Sequence, residues 1–366
     1  MASHQHDTVP PWTWIAPVLA SLLLILKYGG VLDASSPALQ VAAAILIFGA
    51  VFASVHHADI MAMWLGDPYG AILLAVAVTV IEVALIISVQ FAGGPGAETI
   101  ARDTVFSAVM IVLNLVVGLC LVLGASRHFE QRFQLEGAVA GLTVLGPLAV
   151  LAMVLPNYTL EAPGPYYSRV QLIYVGAASL VLWACFIFVQ AVRHRDYFLD
   201  VIPDDEPADP IPKPPARVTS ASAILLPVSL ACVVLLGKVL SYPVERAVAW
   251  AGLPSAFVGV VIAMLVLLPE GLASIREALR NRLQNSLNLA GGSAIASIGL
   301  TIPSVAVATL IDGRRLALGL SNENMVLLLL TLFVATLSLG TGRTTVLQGA
   351  VHLVIFAIFL LISAIP

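Results

Sequence analysis

Long blocks of apolar residues, separated by short polar stretches, run through almost the whole chain. A helix needs roughly 20 such residues to cross the hydrocarbon core of a bilayer. Of the 366 residues, 60% are hydrophobic and only 10% are Asp, Glu, Lys or Arg, whereas a soluble domain usually carries about 25% charged residues. So few charges cannot cover a water-soluble fold of this size. The sequence therefore predicts an all-α polytopic membrane protein.

The lengths of the apolar blocks and the polar, Gly and Pro residues between them predict about eleven transmembrane helices. Their predicted limits are 13–31, 37–55, 68–92, 103–124, 137–156, 168–192, 221–241, 254–275, 285–311, 323–340 and 344–364. With the N-terminus in the cytoplasm, the predicted inner loops hold more Lys and Arg than the outer ones. This excess favours an N-inside orientation in the plasma membrane, the inner membrane of a bacterium.

The longest polar stretch, residues 193–217, is rich in Pro and acidic residues, which is typical of an extended, flexible linker. It suggests four parts, which are an N-terminal segment with the first helix (1–35), a five-helix repeat (36–192), an acidic cytoplasmic linker (193–220) and a second five-helix repeat (221–366). Because five is odd, the two repeats must cross the membrane in opposite senses. Inverted repeats with a site at their junction are a recurrent transporter architecture.

Each repeat carries one glutamate within an apolar helix, at a similar distance from a Gly-x-Pro opening. Glu82 follows Gly66-Asp67-Pro68, and Glu270 follows Gly252-Leu253-Pro254. A carboxylate in hydrocarbon costs several kcal/mol, so such residues normally face a cavity, a partner or an ion path. The alternative interpretation is a protonated glutamate that only holds two helices together.

The chemistry of two buried carboxyl groups suits cation exchange. Burial disfavours the charged form of a carboxyl group, so each glutamate is expected to hold a proton when no cation is bound. A divalent cation between two carboxylates gives a neutral site, and so does one proton on each. Cation and protons would then compete for the same oxygen atoms of Glu82 and Glu270, which is the minimum mechanism for antiport.

Further oxygen ligands are predicted beside the two glutamates. Pro269 cannot donate to the carbonyl of Leu265, and a carbonyl freed in this way is a hard ligand for Ca²⁺ or Na⁺. The helix after each glutamate is the predicted opposite wall and supplies Asn285, Asn288 and Ser293 in one repeat and Ser107 and Asn114 in the other. For all of these residues, helix packing alone is the alternative interpretation.

His57 and Asp59 precede the third predicted helix on its cytoplasmic side. They are candidates for a proton path to Glu82, because histidine titrates near neutral pH; an interfacial position without a role is the alternative. The three cysteines lie in apolar blocks without metal-ligand spacing, and no basic tract suggests nucleic acid. The predicted partners are thus inorganic cations, protons and the lipid bilayer, with no cofactor.

Four blocks of the chain, in order, resemble a known family. They are HADIMAMWLGDPYGAILLAVAVTVIEVALI, RDTVFSAVMIV, LLPEGLASIREALRNRLQNSLNLAGGSAIASIGLTIP and GTGRTTVLQGAVHL. They are similar to the bacterial calcium/proton antiporters of the ChaA type, in the cation/calcium exchanger superfamily. The resemblance implies an extra N-terminal helix before the inverted repeats, and it implies that Glu82 and Glu270 bind both the cation and the protons.

The resemblance further implies outward transport of Ca²⁺, and of Na⁺ or K⁺, against protons. The superfamily often has Gly-Asn before its first glutamate, whereas this chain has Val80-Ile81, so the preferred cation stays open. A cation channel would need a filter-like segment, and an intramembrane enzyme would need a paired nucleophile and base; the sequence offers neither. Exchange stoichiometry, oligomeric state and regulation by the linker do not follow from the sequence.

Overall fold

The computed structural model of the chain describes residues 9–33, 36–66, 68–94, 96–200 and 213–366. Within this part, eleven helices are long and apolar enough to cross a membrane, as predicted. They are α1 (Pro11–Tyr28), α2 (Pro37–Leu65), α3 (Tyr69–Ala92), α4 (Ile100–His128), α5 (Leu135–Tyr158), α6 (Arg169–Arg193), α7 (Ala216–Trp250), α8 (Phe257–Leu279), α9 (Leu283–Asp312), α10 (Asn322–Leu339) and α11 (Val346–Ala364).

Two helices are much longer than their apolar blocks. The prediction ended α2 at residue 55, but the helix continues to Leu65, through the polar residues His56, His57 and Asp59. The predicted 221–241 block is the middle of α7, which runs from Ala216 to Trp250. A helix does not stop where its side chains become polar, because the backbone hydrogen bonds continue beyond the hydrocarbon core.

The glutamate helices of the two repeats run in opposite directions. Ala71, in the first turn of α3, and Glu277, in the last turn of α8, line the mouth of one cavity. The start of α3 and the end of α8 therefore lie at the same end of the bundle, as two inverted repeats require. The extra helix α1 packs against α2 and α7.

The two repeats also interleave, because the helix after each glutamate packs on the other repeat. Helix α4 packs on α8 so closely that a Cβ atom on Gly259 would lie 2.7 Å from the backbone of Asp103. In return, α9 packs on α3. Glycine at such a contact lets two backbones approach in a membrane.

Both interleaved helices are irregular near their middle. Helix α4 contains a π-helical stretch, Ile111–Val116, and α9 is interrupted at Leu300, between segments Leu283–Gly299 and Thr301–Asp312. Such irregularities turn the following residues relative to an ideal helix. The described chain also has one short antiparallel ribbon, β1 (Gln131–Arg132) with β2 (Arg343–Thr344).

The central part of the predicted linker, with its acidic run Asp204-Asp205-Glu206, lies outside the described residues, as does Asp67 of the first Gly-x-Pro opening. The residues that lead into the linker are described up to Asp200. The limits of the four predicted parts of the chain stay a prediction.

Candidate functional site

A cavity of about 760 Å³ opens at one end of the bundle and reaches both glutamates. Helices α2, α3, α8 and α9 form most of its wall, and α1 and α6 contribute at its mouth. The residues of the wall that carry polar side chains are Trp12, His56, Asp59, Thr79, Glu82, Gln190, Glu270, Arg276, Glu277, Arg280, Asn285, Asn288, Ser293 and Ser297. Glu82 and Glu270, from opposite repeats, thus share one cavity.

Glu82 lies on α3 and is only 2% exposed. Its Oε2 atom accepts a hydrogen bond of 2.8 Å from the hydroxyl of Thr301, at the start of the second segment of α9. Its Oε1 atom has no hydrogen-bond partner within the described part of the chain. A buried carboxyl oxygen without a donor is costly, which fits an atom that exchanges its partners during function.

Glu270 lies on α8 directly after Pro269, and both residues line the cavity. Its Oε2 atom accepts a hydrogen bond from the hydroxyl of Ser293. Ser293 and Ser297 are four residues apart on one face of α9, and Thr301 continues this spacing. One stripe of hydroxyl groups on α9 therefore faces the two glutamates.

The cavity mouth carries further charges. Asp59, from α2, and Arg276, Glu277 and Arg280, from the end of α8, line it. Charged side chains of both signs therefore line this end of the cavity. No cluster of three or more His, Cys, Asp or Glu side chains within the described residues is placed to hold a metal ion.

The chain that leads into the linker is fixed to the start of α9, at the mouth. The Asn288 amide donates to the carbonyl of Phe198 over 2.6 Å, and the backbone N–H of Asn285 donates to Asp200 over 3.2 Å. Burial raises the pKa of Asp200 above its usual value, although that hydrogen bond opposes the shift. Asn285 and Asn288, which the sequence predicted beside the glutamates, both line the cavity. The side-chain amide of Asn288 is bound to Phe198 in this conformation.

The structure does not bring four of the predicted residues to the cavity. Ser107 donates to the carbonyl of Asp103 in its own helix. The Asn114 amide donates to Thr331 and its oxygen lies 3.1 Å from His352, in a buried cluster behind the site. Asn114 lies within the π-helical stretch of α4.

Leu265 does not line the cavity either, whereas Pro269 does. Of the two adjacent histidines, His56 faces the cavity and His57 is fully buried between α1 and α7. His57 therefore does not reach the cavity, whereas Asp59 does, and the proton path itself stays a prediction. Adjacent residues of a helix point about 100° apart, so only one of them can face the cavity.

Sequence reasoning missed Thr301, although it is the hydroxyl that contacts Glu82. Its spacing from Ser293 and Ser297, within the same predicted span, was a usable signal. Trp12 was also missed, because the first helix gave no sign of reaching the site.

The opposite end of the bundle is closed by contacts between the repeats. The side-chain amide of Gln90, near the end of α3, donates to the hydroxyl of Thr309 on α9 over 3.4 Å. Arg314 donates to the carbonyl of Gln90 over 2.8 Å, and Arg102 donates to the carbonyl of Gly319 over 2.9 Å. The two glutamates are therefore open to one end of the bundle and separated from the other.

Inverted repeats around an acidic cavity define a polytopic membrane transport protein. The sequence profile of the sodium/calcium exchanger protein family matches residues 35–192 and 221–365. The protein y4hA of Sinorhizobium fredii is 55% identical over 98% of this chain and 97% of its own length. The sodium-potassium/proton antiporter ChaA of Escherichia coli is 35% identical over 95% of this chain and 94% of its own length.

Among solved structures, the selenium-substituted Ca²⁺/H⁺ antiporter YfkE matches with a TM-score of 0.71 at 14% identity, covering 97% of this chain and 98% of that one. An identity this low speaks for the fold alone. The family profile and the identity to ChaA together show that the chain belongs to the sodium/calcium exchanger protein family. It is therefore a transport protein and not an enzyme.

Proposed function

We propose that the protein exchanges cytosolic Ca²⁺ for protons at the site formed by Glu82 and Glu270. One observation carries the proposal, since two acidic side chains from opposite repeats meet in one cavity within the membrane-spanning part of the bundle. A related protein supports proton antiport, because ChaA is a sodium-potassium/proton antiporter, and YfkE, which shares the fold, is a Ca²⁺/H⁺ antiporter. Na⁺ and K⁺ are therefore further candidate substrates.

Charge balance couples the cation to the protons. Glu82 and Glu270 together are neutral when each holds a proton and also when they share one Ca²⁺ ion. A site with a single uncompensated charge is costly in an apolar bilayer interior. The neutral forms cross the barrier between the two ends more readily, so cation and protons move in opposite directions and do not leak singly.

The oxygen atoms around the cavity suit a hard cation. Ca²⁺ takes about six to eight oxygen ligands, with water among them. The two carboxyl groups offer four oxygen atoms, and the hydroxyl groups of Ser293 and Thr301 lie beside them. A hydroxyl group that donates to a carboxylate in one state can turn and present its oxygen to the cation in the other.

Alternating access follows from the two ends of the bundle. The cavity opens where α3 begins and α8 ends, while contacts such as Gln90 with Thr309 close the other end. We infer that a second conformation opens those contacts and closes the mouth around α9. Inverted repeats supply such a pair of conformations, since each repeat adopts in turn the arrangement of the other.

The cavity mouth is assigned to the cytoplasm. Helix α1 begins at this end, because Trp12 lines the mouth, and the Lys and Arg excess of the loops favours a cytoplasmic N-terminus. The described conformation is then the one that receives cytosolic cations.

The proposal is tested in inverted membrane vesicles that are acidified inside and contain a pH-sensitive dye. Addition of Ca²⁺, Na⁺, K⁺ or Mg²⁺ reports which cation drives proton release. Wild-type vesicles are expected to respond to Ca²⁺, and both Glu82→Gln and Glu270→Gln are expected to abolish the response.

Glu245→Gln is the matched control, because Glu245 lies on α7 outside the cavity lining. Its vesicles should respond like the wild type. If the protein is folded and inserted in the membrane but none of the four cations drives proton release, the proposed function is refuted.

A further inference from the structure

Helix α1 lies outside the part of the chain that the family profile matches, which begins at residue 35. Its outward face is apolar, with Val18 and Leu22 each about half exposed. A helix of this kind could be a simple anchor beside the transport unit. Its contacts indicate a more specific role.

A carbonyl group that a proline leaves free joins the first turn of α1 to α2. Pro17 lies inside the helix and has no N–H, so the carbonyl of Thr13, four residues earlier, lacks its helical donor. The Nε2 atom of His57 lies 3.2 Å from that carbonyl oxygen. Because a carbonyl only accepts, Nε2 carries the hydrogen and donates it to Thr13.

The same histidine ties α1 to α7 as well as to its own helix α2. The Nδ1 atom of His57 lies 3.1 Å from the hydroxyl of Ser222 on α7. All three residues, Thr13, His57 and Ser222, are fully buried. Without α1, a histidine and a serine would face hydrocarbon, which is costly for polar side chains.

Two further contacts hold α1 along its length. The thiol of Cys232 on α7 donates to the carbonyl of Pro17 over 3.5 Å and lies 3.2 Å from the hydroxyl of Ser21. On α2, a Cβ atom at Gly49 would lie 2.9 Å from the Cβ atom of Ala16. The helix is thus packed and hydrogen-bonded as a part of the bundle.

In this position of α1, its two tryptophans, Trp12 and Trp14, differ in their relation to the cavity. Trp12 lines the cavity together with His56 and Asp59, and its ring lies 5.6 Å from the ring of His56. Trp14 does not line the cavity. The two side chains are almost equally exposed, at 46% and 45%, so exposure alone does not distinguish them, whereas their position relative to the cavity does.

We propose that α1 is a wall of the cation route, in which Trp12 closes the side of the cavity toward the bilayer and holds His56 beside Asp59. Trp12 is a positioning residue that keeps lipid out of the mouth, so that cations reach the glutamates through water from the end of the bundle. The inference deepens the proposed function, since it rests on this cavity being the cation route.

Labelling tests the wall without depending on transport. A cysteine replaces Ala273, which lines the cavity, in a Cys185→Ser chain, because Cys185 is exposed. The cysteine is then labelled with a lipid-soluble maleimide and, separately, with a charged methanethiosulfonate. Trp12→Ala is expected to raise the maleimide rate severalfold and leave the rate of the charged reagent unchanged.

Trp14→Ala is the matched control, with the same loss of a ring from the same helix, and should change neither rate. Exchange assays supply the second readout. Trp12→Ala is expected to lower the maximal exchange rate more than it changes the half-saturating cation concentration, and Trp12→Phe to restore much of the loss.

The outcomes separate the two proposals. If the wild type exchanges no cation, the proposed function fails, while the labelling rates still decide whether Trp12 closes the cavity. If the wild type exchanges cations and Trp12→Ala labels like Trp14→Ala, the wall is refuted and the function stands.

Discussion

Replacing Thr301 by valine removes one hydroxyl group and almost nothing else. That hydroxyl donates to Oε2 of Glu82 over 2.8 Å. Thr301 itself is fully buried. The other carboxyl oxygen of Glu82 already has no partner within the described residues. The variant therefore takes a donor from a carboxyl group that is poorly supplied, and it takes one candidate oxygen ligand from the cation.

The expected size follows from the loss of the Thr301 oxygen as a ligand of the bound cation, because loss of the hydrogen bond alone would only weaken the cation-free site. An interaction between a hydroxyl group and a charge contributes about 1.5–3 kcal/mol, and about 1.4 kcal/mol is a tenfold change in a binding constant. The half-saturating concentration of Ca²⁺ in Thr301→Val should thus rise roughly 10-fold to 100-fold. It is measured by titrating Ca²⁺ in the vesicle assay, with thermal unfolding in detergent to confirm the fold.

Thr336→Val is the matched control, because the Thr336 hydroxyl is exposed and donates only to the carbonyl of Leu332 in its own helix. Its half-saturating concentration should equal that of the wild type. An unchanged value in Thr301→Val as well would refute the reasoning, because Thr301 would then make no contribution to the cation site.

Two further predictions concern the closed end and the packing of the repeats. Cross-linking of a Gln90→Cys, Thr309→Cys chain with a short bifunctional methanethiosulfonate is expected to stop exchange and a reductant to restore it, since the Gln90 amide and the Thr309 hydroxyl lie 3.4 Å apart across α3 and α9; continued exchange by verified cross-linked protein would contradict the closed end. Gly259→Ala should lower stability by about 1–3 kcal/mol, because its Cβ would meet the α4 backbone at 2.7 Å. Gly141→Ala, with open space around it, should not lower the thermal unfolding temperature, and an equal loss in both would argue against the contact.

The number of membrane spans could be predicted because the bilayer sets a length that apolar blocks reveal directly. The ends of the spans could not. Helix α7 continues through Lys238, Glu245 and Arg246 to Trp250, since polar side chains at a membrane end do not interrupt backbone hydrogen bonds. The interruption of α9 at Leu300 likewise leaves no gap in the apolar pattern.

The two glutamates could be predicted to face a common cavity because carboxyl groups are rare and costly within a span. Their neighbours could not be chosen reliably, since the rotation of each helix about its axis depends on packing. The sequence pattern favoured His57, but His56 faces the cavity. It placed Asn114 beside the glutamates, whereas the π-helical stretch of α4 and the contacts to His352 and Thr331 place it elsewhere.

The central claim is that Glu82 and Glu270 bind the cation and the protons in turn, and one measurement tests it most directly. Purified protein is reconstituted into liposomes, and Ca²⁺ flux and proton flux are recorded together for the wild type, Glu82→Gln and Glu270→Gln. We predict opposite fluxes in a fixed ratio for the wild type and the loss of both fluxes in each variant. Ca²⁺ flux without a proton flux, or coupled exchange that persists in either variant, would contradict the account.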